Sequence, residues 1–323
     1  MIARYIHHGR ETTQLGDENL PALKDNDVLI KVKKSLISVG TELAYLKYDR
    51  HEGHSGYAVA GEVIEMGKSV TRYKLGQRVF SYNGHASHIR IPETHNAFPI
   101  PDGVTDTQGT FCALTCIAMY IASRAEISIG RTVVVVGQGT VGQLVSQMAR
   151  LAGAGMIIGV DRDPKRLKLS RQLGVDETIA PDKAELDAAL SRRIPESCPP
   201  VFIEVTGVTE ALGWTLASAP LHSRVVVTGT YMQNLTLNAF QPFIERELDV
   251  VGAHNPKAPD APSHRHPYTR IFNNNFALDS IRRGRVRVDE LIDAVLKPSE
   301  AVQFYNDAVA GRPRPTQPLI DWE

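Results

Sequence analysis

The stretch of residues 132–161 constrains the fold of this chain more than any other. Its run of valines, Val133–Val136, is typical of a buried parallel strand. A glycine-rich turn, Gly137–Gly142, follows directly and leads into a helical pattern. A second apolar strand, Met156–Val160, then stops at Asp161. This order predicts a strand–turn–helix–strand unit within a parallel sheet.

The glycine turn has the spacing of a dinucleotide-binding motif. Gly137 allows the tight turn, Gly139 lets the backbone approach a pyrophosphate, and Gly142 lets helix and strand pack closely. Thr140 and Val141 complete the turn at the helix N-terminus, where unpaired N–H groups and the helix dipole attract phosphate. We therefore predict that this turn holds the phosphates of a dinucleotide cofactor.

Asp161 bears on which cofactor binds. It stands at the strand end where a carboxylate accepts hydrogen bonds from the adenosine ribose. A carboxylate there repels a 2′-phosphate, so the sequence favours NAD over NADP. Arg162 and Arg166 leave room for the 2′-phosphate, and NADP stays open as the alternative.

The composition excludes several function classes. The chain has 323 residues with 36 basic and 36 acidic side chains, and this balance predicts neither nucleic-acid nor anionic-membrane binding. No apolar run approaches the roughly 20 residues of a membrane span, and the N-terminus lacks the pattern of a secretory signal. Cys112, Cys116 and Cys198 form no CxxC pair and suit free thiols. We expect a cytoplasmic protein.

The alternation of elements predicts an α/β protein of two domains. Short strands separated by glycine, proline and charged turns fill residues 1–110 and predict a compact, partly open β-barrel. Beyond residue 110, strands and helices alternate as in a doubly wound parallel sheet. We predict a β-rich domain at 1–118, a nucleotide-binding domain at 119–254, and a return of 255–323 to the first domain.

Several further segments occur in one consistent order along the chain. Besides the glycine turn, the segments are Ile37-Ser-Val-Gly-Thr-Glu42, Gly56-Tyr-Ala-Val-Ala-Gly-Glu-Val63, Lys74-Leu-Gly-Gln-Arg-Val79, Glu204-Val-Thr-Gly207 and Arg246-Glu-Leu-Asp-Val-Val-Gly252. In this order they resemble the medium-chain dehydrogenase/reductase superfamily over essentially the whole chain. The resemblance implies a GroES-like substrate domain, a Rossmann domain that binds NAD, hydride transfer in a cleft between the two, and a homodimer.

The zinc ligands that this resemblance implies are missing. Zinc-dependent members carry Cys-Gly-Thr-Asp and Gly-His-Glu, whereas this chain has Val39-Gly40-Thr41-Glu42 and Gly56-Tyr57-Ala58. Cys112 lies close to the place of the third ligand. Because catalytic zinc usually needs three protein ligands, one thiol and a phenol do not suffice. The sequence therefore predicts a zinc-independent enzyme with no metal ion.

Histidines near the expected cleft offer an alternative metal site. They are His51, His54, His85 and His88, with Glu52 beside the first. A flexible loop can bring such side chains together. The competing interpretation, surface histidines that bind no metal, fits better because neither pair has the helical spacing of HExxH.

A hydrogen-bond donor must replace the metal, because hydride transfer on a carbonyl requires the developing alkoxide to be neutralised. The resemblance places Tyr57 at a lost zinc ligand, so we predict Tyr57 as the general acid/base, with its pKa lowered by a nearby cation, either the oxidised nicotinamide or a histidine. The alternative is an aromatic ring that fills the vacated volume. Thr41 matches the family hydroxyl that bonds the substrate oxygen, or else is a turn threonine that bonds its own backbone.

Three more side chains complete the predicted catalytic set. Glu42 takes the place of an aspartate behind the metal and is expected to orient Tyr57 or to pair with a base. His51, with His54, is expected to continue a proton path to solvent, since imidazole titrates near neutrality. His85 lies in a loop that borders the cleft in relatives, where substrate contact is its expected role.

The remaining cofactor contacts follow from the rule that ligands bind beyond the carboxyl ends of parallel strands. Thr206 and Gly207 are expected near the adenosine half of the cofactor, and Gly229, Thr230 and His254 near the nicotinamide. The alternative is that strands in any such sheet end in small polar residues.

These features predict an NAD-dependent, zinc-independent oxidoreductase that interconverts a secondary alcohol and a ketone on a polar small molecule. The cationic loop Ser263–Arg270 favours a polyol, a sugar or a cyclitol as that molecule. Two alternatives stay open. One is a quinone or enone reductase, and the other is a nucleotide-binding protein without turnover.

Overall fold

The structure is a computed structural model that describes residues 1–9, 12–48, 52–94, 97–192, 198–255, 259–263 and 268–323. The chain divides into two compact units. The first unit comprises Met1–Ala113, Asn274–Arg283 and Val288–Glu323, and the second comprises Leu114–Asn273 and Gly284–Arg287. Among the described residues, every helix is too short or too polar to span a lipid bilayer.

Strands and helices are numbered here in chain order. The strands are β1 Ile2–His8, β2 Thr13–Asn19, β3 Asp27–Leu36, β4 Gly53–His54, β5 Val59–Met66, β6 Arg78–Ser81, β7 His88–Pro92, β8 Ala97–Pro99, β9 Thr132–Val136, β10 Met156–Val160, β11 Glu177–Ile179, β12 Val201–Glu204, β13 Arg224–Val227, β14 Asp249–Gly252, β15 Ala294–Leu296 and β16 Pro318–Asp321. The helices are α1 Val39–Lys47, α2 Asp106–Thr110, α3 Cys112–Ala125, α4 Thr140–Leu151, α5 Pro164–Gln172, α6 Lys183–Ser191, α7 Thr209–Ser218, α8 Arg270–Arg282 and α9 Pro298–Val309. A π-helical segment spans Phe240–Glu245, and a 3₁₀ turn spans Asp289–Leu291.

The second unit contains a six-stranded sheet in the order β11-β10-β9-β12-β13-β14. Every neighbouring pair in it is parallel. The order reverses direction between β9 and β12, which is the switch point where doubly wound folds bind their ligands. All five residues of β9 are buried, as expected for a strand covered on both faces. The predicted Rossmann sheet is confirmed.

The first unit contains two mainly antiparallel sheets. A three-stranded sheet has the order β2-β1-β4, and a larger sheet runs β15-β16-β3-β5-β6-β8, with β7 paired to β3. Apolar residues of both sheets share one core, which includes Tyr5 on β1, Val28 and Val32 on β3, and Val63 on β5. This is the GroES-like half of the predicted α/β fold class.

The elements that the sequence did not predict individually include the β1–β2 hairpin, helix α1 and helix α6. Strand β2 contains Gly16, Asp17, Glu18 and Asn19, which disfavour strands, but it pairs with β1 along its full length. Helix α1 carries Val39, and with it the predicted residues Thr41 and Glu42, so these lie on a helix rather than in a turn.

Candidate functional site

The glycine turn after β9 is shaped by two close backbone contacts. Gly137 has φ +98°, a conformation that residues with a side chain rarely adopt. A Cβ at Gly142 would stand 1.8 Å from the carbonyl oxygen of Gly137. Any side chain at position 142 would therefore force α4 away from the turn. The geometry matches the roles predicted for both glycines.

Helix α4 starts at the turn with donors directed at a potential anion. Its N-cap is Gly139, which has no side chain to satisfy the first N–H groups. Thr140 and Val141 are the first two residues of the helix, as the motif predicts. The positive end of the helix dipole adds to this site. A pyrophosphate fits here because its oxygens would accept hydrogen bonds from these N–H groups.

Asp161 follows β10 directly and contacts the turn. Its Oδ2 accepts a hydrogen bond from the backbone N–H of Gln138 at 2.7 Å, and its Oδ1 accepts from the N–H of Asp163 at 2.9 Å. The guanidinium of Arg166 lies 3.7 Å from Oδ2. Arg162 is exposed beside this carboxylate. Asp161 thus lies at the turn as predicted. Arg162 and Arg166 are the cations nearby that could pair with a 2′-phosphate.

The loops after β12 and β13 meet the glycine turn and each other. A Cβ at Gly137 would stand 2.7 Å from Cγ2 of Thr206. A Cβ at Gly207 would stand 3.0 Å from the backbone of Thr230, and one at Gly229 would stand 2.2 Å from the N of Gly207. The structure thus brings these four predicted cofactor residues together. His254 is exposed after β14.

The first unit places Tyr57 in a cluster of hydroxyl groups. The half-buried Tyr57 phenol donates a hydrogen bond to Oγ of Ser38 at 2.5 Å. The Thr41 side chain also hydrogen-bonds this phenol. Ser38 precedes α1, and Thr41 lies in its first turn. The structure therefore brings two predicted residues together and adds Ser38, which the sequence analysis did not single out.

Glu42 is the centre of a buried polar network. Its Oε1 accepts a hydrogen bond from the backbone N–H of Ser38 at 2.6 Å, and its Oε2 accepts one from the Tyr305 hydroxyl at 2.5 Å. Nε2 of the fully buried His85 lies 3.2 Å from Oε2. Burial alone would raise the pKa of the Glu42 carboxyl, but His85 and the hydrogen bonds bring that pKa below its usual range. The carboxylate is ionised.

Tyr305 is a member of this network that sequence motifs do not reveal. It lies on α9, more than two hundred residues along the chain from Glu42, in a stretch that reads as an ordinary amphipathic helix. Burial, followed by the charge of Glu42, raises the pKa of the Tyr305 hydroxyl well above its usual range. Tyr305 therefore stays a neutral hydrogen-bond donor.

The ionisation of Tyr57 differs from the prediction. Burial raises the pKa of its phenol to about 12, and the charge of Glu42 adds to this effect. Hydrogen bonds with Ser38 and Thr41 offset part of it. Within the described part of the chain, none of the groups that act on this pKa is the expected cation. Tyr57 is a neutral donor at neutral pH.

In the described part of the chain, the histidines of the alternative metal site have different partners. His85 is buried against Glu42, and Nδ1 of His88 contacts the Ser87 hydroxyl. His54 lies instead with His7 and Glu18, the one set of three potential ligands found among the described residues with ligand atoms within 4.8 Å of one another. His51 lies outside the described residues.

The positions at which the family resemblance implies zinc ligands carry Val39, Tyr57 and Cys112. Val39 packs with Leu43 and Leu46 in an apolar cluster against α9. The Sγ of buried Cys112 donates to Oδ1 of Asn274 at 3.3 Å, an atom that also accepts from the Tyr82 hydroxyl. An alkyl group, a phenol and a single thiol do not fit a catalytic zinc ion.

Comparisons with known families cover both units. A model of the alcohol dehydrogenase GroES-like domain matches residues 24–129, and a model of zinc-binding dehydrogenases matches residues 140–264. This chain belongs to the medium-chain dehydrogenase/reductase superfamily. The second of these models describes zinc-binding dehydrogenases, and its match lies within the nucleotide-binding half of the chain.

Named relatives of this medium-chain dehydrogenase/reductase are dehydrogenases. The L-threonine 3-dehydrogenase of Rhizobium etli (strain CIAT 652) is 29% identical over 53% of this chain and 59% of its own length. The chain thus spans little more than half the length of this relative. The D-guloside 3-dehydrogenase of Escherichia coli (strain K12) is 27% identical over 80% of this chain and 74% of its own length.

The fold is shared with solved structures. Galactitol-1-phosphate dehydrogenase from Escherichia coli superimposes with a TM-score of 0.83 at 17% identity, covering 98% of this chain and 99% of its own. L-idonate 5-dehydrogenase from the same species gives a TM-score of 0.79 at 16% identity, over 99% of this chain and 98% of its own. The likeness confirms the predicted fold class.

Proposed function

We propose that this protein is an NAD-dependent oxidoreductase that interconverts a secondary alcohol and a ketone without catalytic zinc. The observation that carries the proposal is the hydroxyl cluster of Tyr57, Ser38 and Thr41 at a position where relatives have a metal ligand. The glycine turn of the second unit supplies the second requirement, a cradle for a dinucleotide. A bound nicotinamide supplies hydride transfer.

The residues of the second unit would hold the cofactor. The N–H groups at the start of α4 suit the pyrophosphate, and Asp161 suits the adenosine ribose. The Asp161 carboxylate supports NAD rather than NADP as the cofactor, because it would repel a 2′-phosphate. Because Arg162 and Arg166 can pair with a 2′-phosphate, we expect a lower activity with NADP.

The residues of the first unit would handle the proton. A neutral phenol can donate to the alkoxide that develops when a ketone is reduced. The Tyr57 hydroxyl is held by Ser38 and Thr41, which fixes its direction. In the opposite direction the phenolate of Tyr57 must accept the proton of the alcohol, and the raised pKa leaves little phenolate at neutral pH. We therefore expect alcohol oxidation to accelerate as the pH rises.

A polar substrate is the preferred class. The matched relatives include enzymes named for D-guloside, galactitol-1-phosphate and L-idonate, which are sugar-like molecules. In the loop that suggested this class, residues 264–267 lie outside the described residues, and Arg270 pairs with Asp260 at 2.9 Å. We expect a polyol, a sugar or a cyclitol. A cytoplasmic homodimer completes the proposal, with β14 at the edge of the sheet as the surface that pairs.

A substrate panel tests the reaction class. Polyols, sugars, cyclitols and enones are assayed with NAD(H) and NADP(H) before and after treatment with a chelator. The expected result is turnover of a polyol-like substrate with NAD that survives chelation. Activity on enones alone would select an enone reductase, and cofactor binding without any turnover would select a binding protein. Loss of activity on chelation at a temperature where the metal-free protein stays folded, restored by zinc, would contradict the zinc-independent mechanism.

Replacing the phenol tests its role. Tyr57→Phe is expected to lower kcat by about 100-fold or more, the usual contribution of general acid–base catalysis, with NAD affinity unchanged. Tyr73→Phe is the matched control, because its buried hydroxyl donates to the carbonyl of Ala97 in the same unit. Steady-state kinetics across a pH series give both values. Turnover by Tyr57→Phe within a few-fold of the parent would exclude the acid–base role.

A further inference from the structure

A second cluster of chemically active side chains lies on the three-stranded sheet of the first unit. His7 on β1 is directly opposite His54 on β4, and Glu18 comes from β2 on the other side of β1. Oε1 of Glu18 lies 3.2 Å from Nε2 of His7 and 2.9 Å from Nε2 of His54. Three strands thus direct two imidazole nitrogens and a carboxylate at one point.

Neighbouring residues hold both rings in place. Gly16 on β2 leaves the space that the His7 ring fills, since a Cβ there would stand 2.8 Å from Nε2 and Cδ2 of that ring. The His54 ring stacks on Tyr5, with centroids 4.2 Å apart and planes 14° from parallel. The two imidazoles meet edge to face at 4.6 Å. The glycine and the stacked phenol are features of a built site rather than of a chance surface ion pair.

We propose that His7, Glu18 and His54 bind a zinc ion. Two histidines and one glutamate are a known ligand set of zinc, in which water takes the fourth position. Tetrahedral bonds of the usual zinc lengths place ligand atoms about 3.3 Å apart. The nitrogen–oxygen separations of 3.2 and 2.9 Å lie within a few tenths of an ångström of that value. An ion therefore needs small side-chain shifts.

The surroundings suit entry of a hydrated ion. The side chains of His7, Glu18 and His54 are 22%, 45% and 40% exposed, so a water ligand has room. Two imidazoles favour zinc and similar transition metals over Mg²⁺ and Ca²⁺, which prefer oxygen ligands. The site differs from the lost zinc position of the superfamily, because none of its ligands comes from α1, from Tyr57 or from α3.

The ion would fasten β4 to the β1–β2 hairpin. Strand β4 has two residues and pairs with β1 through His54 and Gly53. A pairing of only two residues contributes little to stability on its own. A metal bond from each strand would join all three at one point. This inference is independent of the proposed oxidoreductase activity and of the phenol that would serve it.

Metal titration tests the proposal. The full-length protein is treated with a chelator, dialysed and titrated with Zn²⁺, and separately with Mg²⁺, by calorimetry. We expect one saturable Zn²⁺ site per chain, no Mg²⁺ binding, and a melting temperature that rises with Zn²⁺. His7→Ala, Glu18→Gln and His54→Ala should each weaken Zn²⁺ binding by more than the roughly 100-fold that loss of an outer-shell partner causes.

Two control variants separate this site from other zinc-binding groups. Glu247→Gln removes the carboxylate of an exposed pair, in which His222 lies 3.0 Å from Glu247, and should leave Zn²⁺ binding unchanged. Cys198→Ser removes the exposed free thiol and should also leave it unchanged. The melting temperature without metal shows that each variant folds. Any of three results would overturn the proposal. They are no saturable Zn²⁺ binding, Zn²⁺ binding by the three ligand variants as tight as that of the parent protein, and loss of Zn²⁺ binding in Cys198→Ser.

Discussion

Among the residues that the structure describes, each unit buries one glutamate, and the pKa values of the two carboxyls are shifted in opposite directions. Glu42 in the first unit is 5% exposed, and Glu204 in the second is fully buried. Glu42 faces His85, Tyr305 and a backbone N–H, and its pKa is lowered. Glu204 is bonded by the N–H and hydroxyl of Thr206, while its Oε2 has no hydrogen-bonding partner within the described part of the chain.

The pKa of Glu204 shows the consequence of this difference. Burial raises the pKa of its carboxyl to about 7, and the hydrogen bonds from Thr206 and Gly207 offset only part of that rise. Burial of a carboxyl therefore does not by itself set its charge. The imidazole of His85 that faces Glu42 makes the difference. The first unit maintains a buried negative charge close to Tyr57, whereas the second keeps an acid close to neutral.

The largest expected effect on the free energy of unfolding comes from removing the Glu42 carboxyl. Glu42→Leu should lower the free energy of unfolding by about 4 kcal/mol at pH 7, because His85 and Tyr305 lose a charged partner inside the protein. Glu204→Leu is the matched variant and should cost about 1 kcal/mol, since the hydrogen bonds of Glu204 come from uncharged groups of Thr206 and Gly207. Urea denaturation of both variants gives the comparison. Equal losses would show that the two sites are equivalent.

The pH dependence of stability should separate the two glutamates next. The folded pKa of Glu204 is about 7 against an ordinary 4.5, so folding favours its protonated form. Its contribution of about 3 kcal/mol is complete below pH 4.5 and is lost as the pH rises through 7. Glu204→Gln should remove this loss, which urea denaturation across that pH range would measure.

Glu42 provides the control for this measurement, because its shift has the opposite sign. Its lowered pKa gives a contribution that is present above pH 4.5 and is lost as the pH falls through the folded pKa. Glu42→Gln should therefore change how the free energy of unfolding depends on pH below pH 4.5, and leave that dependence unchanged near neutral pH. An unchanged slope between pH 4.5 and 7 in Glu204→Gln would contradict the assignment of Glu204.

The smallest effect should come from a single hydroxyl group. Tyr305→Phe removes one hydrogen bond to the ionised Glu42 and should cost about 2 kcal/mol. Tyr73→Phe removes a hydrogen bond to the neutral carbonyl of Ala97 and should cost about 1 kcal/mol. Thermal unfolding at neutral pH compares the two. A larger loss in Tyr73→Phe would indicate that the charge on Glu42 does not strengthen its bonds.

The second unit was the more predictable part of the sequence. Its β9, glycine turn and α4 follow one another along the chain, so periodicity and glycine spacing predict them directly. The contacts of Gly137 with Thr206, and of Gly207 with Gly229, also agree with the expectation that strand ends meet. Helix α6 was missed although Asp182 caps it, a local signal that was available.

The first unit was less predictable, because its site is assembled from distant segments. Glu42, His85 and Tyr305 meet through tertiary packing, which no local pattern encodes. Helix α1 had one local signal, the spacing of Val39, Leu43 and Leu46 along one face. For the Tyr57 pKa, the sequence expectation counted a nearby cation and left out burial and the charge of Glu42, both of which raise that pKa.

The 1.8 Å approach at Gly142 also bears on how such a protein can evolve. Even a methyl group, the smallest possible side chain, collides with the backbone there, so mutation offers no intermediate steps. The proposed acid–base groups of the first unit can be exchanged one at a time, as illustrated by Val39 and Tyr57 at positions where the family resemblance implies zinc ligands. We therefore expect evolution to tolerate single substitutions in the site of the first unit and to tolerate none at Gly142 in the second.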